Sequence, residues 1–133
     1  MRNIILGYDG SEAARRALDR VAELANGGSV TVVAAVHVMP QFGRAPSQID
    51  PDEIDERRRE LHEAKAALEA KGIEAHAVEA HGDPAEAIIE AAEKGADLVV
   101  VGTRGANLAS RVLLGSVSTK VVHEAPCDVL VVR

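Results

Sequence analysis

DLVVVGTRGANLASRVLLGSVSTKVVHEAPCDVLVVR, residues 97–133, decides the fold class. A β-branched run, Asp97 to Val101, reads as a strand and stops at a glycine. A long loop of small residues follows. A helix is predicted from about Gly115 to Glu124, and Pro126 ends it. The segment closes on a second apolar run, Val129 to Val132. Strands this uniformly apolar fit a parallel sheet buried on both faces.

The same alternation extends back to the start. Asn3 to Tyr8 (NIILGY) is a predicted strand, and Ser11 caps a helix that runs to Ala25 and stops at Asn26-Gly27. Ala14, Leu18, Val21, Ala22 and Ala25 form its inward face at helical spacing. Val30 to Val38 is a second strand. Met39 to Asp50, with two prolines and a glycine, reads as irregular loop. Asp50-Pro51 starts a helix to about Lys71, whose narrow stripe is Ile54, Leu61, Ala64 and Leu68. The rest of that helix is charged and is expected to face water. Ile73 to Ala80 is the third strand. Asp83-Pro84-Ala85-Glu86 has the form of a capping box, and Ala85, Ile88, Ile89 and Ala92 point inward behind it. The resulting order, β-α-β-α-β-α-β-α-β, predicts one α/β domain over 1–133. It is an open parallel five-stranded sheet with helices on both faces.

Composition narrows the function. The chain has 133 residues, a formal charge of −6, no Trp, one Tyr and one Phe. Its core must be aliphatic, and any bound base is expected among aliphatic walls. The acidic balance argues against nucleic acid and anionic membrane as partners. The single cysteine, Cys127, can form neither an internal disulfide nor a CxxC metal site. With a first apolar run too short for a secretion signal and no run long enough to span a bilayer, a cytoplasmic location is expected.

In open parallel sheets ligands lie beyond the carboxyl ends of the strands. Asp9-Gly10-Ser11 follows the first strand, and Gly102-Thr103-Arg104-Gly105 follows the fourth. Gly102 and Gly105 admit backbone angles closed to other residues and let a ligand approach the main chain. Gly115 and Ser116 open a helix, where unpaired N–H groups and the macrodipole attract phosphate. Thr103, Ser116 and Ser118 add hydroxyls; Arg104 and Arg111 add charge. Two readings of this segment stay open: a phosphate cradle, or a long loop with helix-capping glycine and serine. Asp9 likewise reads either as a turn former or as a ligand for ribose or a phosphate-bound metal.

Gly102-x2-Gly105-x9-Gly115-Ser116 resembles the nucleotide motif of ATP-binding universal stress proteins, with every spacing intact. IILGYDGSEAARRAL near the start, HVMP at 37–40, GDPAEAII at 82–89 and the last stretch from Leu113 are similar to that family too. The resemblance implies an adenine nucleotide α-hydrolase-like sheet in the order 3-2-1-4-5. It implies ATP, with Mg²⁺ beside its phosphates, for which Asp9 is the candidate carboxylate on the residue reading above. Gly7 and Asp9 would line the base and ribose side, and the Val38 backbone would bond the adenine. Gly102, Thr103, Arg104, Gly105, Gly115, Ser116, Val117 and Ser118 would surround the phosphates. It also implies a homodimer through residues 129–132 and a regulatory role toward a further protein partner. Cys127-Asp128-Val129 departs from the family's frequent Cys-Pro-Val, which bears on the dimer strand and leaves the nucleotide site alone.

Rival chemistries lack their signatures. There is no GxxxxGK[ST], no GxGxxG after the first strand and no GxSxG. The HxGH and SGGxDS elements of related nucleotide enzymes are missing as well. His37, His62, His76, His81 and His123 show no metal-ligand spacing on one element. His37 reads as a core residue, and His81 is the one near the ligand edge. Asp9 and Arg104 are the available groups for hydrolysis, with no dedicated base, so binding with weak ATPase turnover at most is expected. A member of the family that binds partners without nucleotide is the third reading.

Overall fold

A computed structural model of the chain describes residues 2–37, 51–103 and 115–133. The elements are β1 (Asn3–Gly7), α1 (Glu12–Leu24), β2 (Ser29–His37), α2 (Pro51–Glu69), β3 (Glu74–His81), α3 (Pro84–Glu93), β4 (Leu98–Gly102), α4 (Ser116–Glu124) and β5 (Asp128–Val132). All strand pairs are parallel, and the sheet order is β3-β2-β1-β4-β5. The predicted alternation, strand count and order are those observed. Element ends agree with the sequence reading to within two residues.

Side-chain alternation divides the core. Leu6 pairs with Val32 on one side and Val100 on the other, at the centre of the sheet. Ile4, Leu6, Val32 and Val100 turn to one face, where Ala17 and Val21 of α1 and Leu61 and Leu68 of α2 cover them. Ile5, Val33, Val99 and Val101 turn to the other, under Ile88 and Ile89 of α3 and Val121 of α4. Each fully buried Val, Leu or Ile among these contributes about 1.5–3 kcal/mol. The N-terminal edge of the sheet is tied by polar contacts. The Asn3 amide donates to Asp97 Oδ2 at 2.8 Å, and the Asp97 amide donates back to the Asn3 carbonyl at 2.8 Å.

The helix starts follow their caps. Ser11 Oγ accepts from the Ala14 amide at 3.1 Å. Asp83 Oδ1 accepts from the Ala85 amide at 3.0 Å, with Pro84 at the first helical position. The capping box read at residues 83–86 is thus present in its Asp83 half. Glu86 is engaged elsewhere: its Oε1 accepts from Lys120 Nζ at 3.2 Å.

Candidate functional site

The strand order reverses between β1 and β4. Chain leaving β1 goes outward to β2, and chain leaving β4 goes outward to β5. A crevice at that point is where open sheets bind ligands. Here a cleft opens over the ends of β1 and β4, walled by Gly7, Tyr8, Asp9, Val101 and Gly102. Ala35 of β2, Ile88 of α3 and Val117 of α4 add apolar surface, and Arg57 of α2 adds a charge. The walls enclose about 130 Å³, less than the roughly 300–1,000 Å³ of a typical small-molecule site. They therefore enclose only part of a site of that size.

Of the residues read from sequence, Gly7, Asp9, Gly102, Val117 and Ser118 line this cleft. Thr103, Gly115 and Ser116 adjoin it in the chain but are not in its wall. Val38, Arg104 and Gly105 lie outside the described residues, as does Arg111.

Several roles differ from the expectation. Gly102 does not use the left-handed backbone that glycine admits; positive φ is confined to Gly10, Gly27, Gly72, Gly82 and Gly95 among the described residues. Gly102 is small because α1 crosses it: an added Cβ would lie 2.7 Å from the carbonyl carbon of Ala13. The Thr103 amide donates to the Val132 carbonyl at 2.7 Å, so it extends the β4–β5 ladder and does not face an anion. The Ser118 hydroxyl is buried and donates to the Gly115 carbonyl at 3.1 Å. Asp9 shows its turn-forming role, with Oδ1 accepting from the Ser11 amide at 2.9 Å. A second carboxylate oxygen remains to it.

The start of α4 is distinctive. Gly115 supplies no side-chain cap, and the first turn holds no acid. By contrast α1 starts with Ser11 and Glu12, α2 with Asp52 and Glu53, and α3 with Asp83 and Glu86. The first intrahelical acceptor of α4 is the Gly115 carbonyl, taken by the Thr119 amide at 3.0 Å. The amides of Ser116, Val117 and Ser118 thus have no intrahelical acceptor. Among the described residues, this first turn supplies no acidic side chain against the partial positive charge of the helix terminus.

Tyr8, Arg57 and Glu60 were missed in the sequence. Tyr8, the one tyrosine, puts a ring in a wall expected to be wholly aliphatic. Burial pushes its hydroxyl pKa up, against a hydrogen bond from Arg15. Glu60 lies against Gly10 of the Asp9-Gly10-Ser11 turn, where an added Cβ would collide with its carboxylate. Burial also raises the Glu60 carboxyl, with Arg57 opposing and Glu56 and Asp9 reinforcing. The usable signal was the spacing from Arg57 to Glu60, which puts both on one side of a helix whose polar surface looked entirely solvated. His81 ends β3 and lines a separate groove with His76 beside α3, away from the cleft. Among the described residues no group of three or more His, Cys, Asp or Glu forms a metal centre.

A sequence model of the universal stress protein family matches residues 1–133. The chain belongs to the universal stress protein family. A universal stress protein of Thermus aquaticus is 41% identical over 140 residues, covering 99% of this chain and 98% of the relative. Solved universal stress proteins share the fold. One in complex with cAMP has a TM-score of 0.75 at 27% identity, covering 99% of this chain and 97% of its own. One from Archaeoglobus fulgidus in complex with dAMP has a TM-score of 0.72 at 26% identity, covering 100% and 98%. Like other members of the family, this chain is built on an α/β sheet. Among its described residues no helix is long and apolar enough to cross a membrane.

Proposed function

We propose that this universal stress protein binds an adenine nucleotide, ATP foremost, in the cleft between β1 and β4, as a regulatory module of the stress response. The observation that carries the reading is the uncapped, acid-free start of α4 in the wall of a cleft at the strand-order switch point. The adenine nucleotides bound by two structural relatives support the ligand class. The base and ribose lie toward Gly7, Asp9 and the Val38 main chain, and the phosphates toward Ser116, Val117 and Ser118. Gly102, Thr103, Arg104, Gly105 and Gly115 complete the glycine motif around them.

Mg²⁺ fits this reading only as an ion carried by the phosphates. Asp9 offers one carboxylate, and Mg²⁺ is commonly held by one or two carboxylates together with phosphate oxygens and water. A homodimer through β5 and a cytoplasmic setting belong to the same proposal. Regulation requires that nucleotide favour one conformation over another.

Mass spectrometry of natively purified protein, followed by calorimetry with adenosine, AMP, ADP and ATP with and without Mg²⁺, tests the reading. Co-purified adenine nucleotide and affinity rising with phosphate number are expected. Folded protein that takes up none of these ligands overturns it. Slower amide exchange at residues 116–118 on ATP addition is the expected regulatory signature; unchanged exchange with ATP bound removes the switch.

A further inference from the structure

Lys120 sits in the second turn of α4 and reaches back to the start of α3. Its Nζ donates to Asp83 Oδ2 at 3.0 Å and to Glu86 Oε1 at 3.2 Å. Asp83 is also the cap of α3, and Pro84 beside it lines the cleft. The two helices thus bring opposite electrostatics to one rim. Among the described residues the start of α4 holds neither a capping side chain nor an acid, whereas the start of α3 carries two carboxylates.

From this juxtaposition we propose that Lys120 is a positioning residue for the phosphate end of the ligand, offsetting part of the negative charge of Asp83 and Glu86 so that an anion can settle at α4. The inference rests on the nucleotide reading above. Without Lys120, two carboxylates next to the cleft would repel a polyphosphate, and repulsion grows with the ligand's charge. Adenosine, which is neutral, would not sense the change. Hydrogen bonding to Lys120 holds the Asp83 carboxyl below its ordinary pKa, and Asp83 together with Glu86 raises that of Lys120, as expected of a trio that stays charged.

The test is calorimetry with adenosine, AMP and ATP on the full chain. Lys120→Met should weaken ATP about tenfold and AMP less, with adenosine unchanged. Adding Asp83→Asn and Glu86→Gln to Lys120→Met should restore most of the ATP affinity, since Asn still caps α3. An equal loss for adenosine and ATP, no loss for either, or no rescue by the triple variant overturns the inference while leaving nucleotide binding intact. Wild-type protein that binds no nucleotide overturns both. If Lys120→Met does not fold, Asp83→Asn with Glu86→Gln alone decides: ATP affinity should hold or rise, and a tenfold loss overturns the inference.

Discussion

The Cβ that Gly102 lacks would stand 2.7 Å from the carbonyl carbon and 2.9 Å from the Cβ of Ala13. Gly102 ends β4 at the cleft, and Ala13 opens the buried side of α1. The close approach seats the start of α1 on the sheet beside the Asp9-Gly10-Ser11 turn. One glycine therefore fixes both the packing of a helix and the shape of the ligand rim.

Gly102→Ala is accordingly expected to be costly, since the clash is with backbone and α1 must shift to relieve it. A loss of about 1–3 kcal/mol is expected, with weakened nucleotide binding. Gly7→Ala makes an informative partner. There the added Cβ would meet Ile88 Cδ1 at 2.6 Å, the far end of a flexible side chain that can change rotamer. Urea unfolding of both variants should place Gly102→Ala clearly below Gly7→Ala; the reverse order would mean that α1 is free to move.

Asp9 combines a turn bond with a charge, and two substitutions separate them. Asp9→Asn keeps an oxygen that can accept from the Ser11 amide, as Asp9 Oδ1 does at 2.9 Å. Its stability should stay within about 0.5 kcal/mol of wild type. Asp9→Ala should lose about 1 kcal/mol through the lost hydrogen bond. Both should blunt the effect of Mg²⁺ on ATP affinity. Asp9→Asn that responds to Mg²⁺ as wild type does would remove Asp9 from the metal side.

Local signals were legible in the sequence because they act over a few residues. The alternation of Ile4, Ile5 and Leu6 between two helical layers is fixed by the strand period itself. The caps at Ser11 and Asp83, and the inward Ala85, Ile88, Ile89 and Ala92 of α3, follow from helical spacing. Long-range relations were not legible. Glu86 has the spacing of a capping-box partner, yet its carboxylate meets Lys120, 34 residues away. Ala13 and Ala17 are buried although alanine carries little hydrophobic signal, and Ala13 is needed for its smallness against Gly102. Arg57 and Glu60 look like solvated helix residues until tertiary packing sets α2 beside the turn after β1.

Glu60 makes stability depend on pH in a definite direction. Burial holds its carboxyl above the ordinary value of 4.5. A raised carboxyl pKa means that the native chain binds the proton more tightly than the unfolded chain. Stability from this group is therefore greatest at low pH and falls as pH rises from 4.5 through the raised native value. Glu60→Gln lacks that fall. Relative to wild type, its urea midpoint should improve as pH rises from 4.5 through the raised native value. Parallel midpoints across that window would show that Glu60 is solvated like any surface acid.

β5 is an edge strand, hydrogen-bonded to β4 on one side, with Val129 to Val132 only half-buried within the chain. Its end is anchored, since Arg16 Nε of α1 donates to the Arg133 carbonyl and the Thr103 amide donates to the Val132 carbonyl. A fixed, apolar edge that no other strand pairs among the described residues is a template for pairing with another strand. Two copies meeting through β5 about a two-fold axis would satisfy both edges at once, because an isologous contact joins the same patch on each subunit. Sedimentation of wild-type protein should show a dimer, and Val131→Lys should weaken it by at least about tenfold, since lysine on an edge strand opposes pairing. Circular dichroism of Val131→Lys must retain the wild-type helix signal for that comparison to stand; should it be lost, Asp128→Lys at the exposed start of the strand serves instead, with the same shift expected. A wild-type chain that sediments as a monomer at high micromolar concentration removes β5 as a self-association surface.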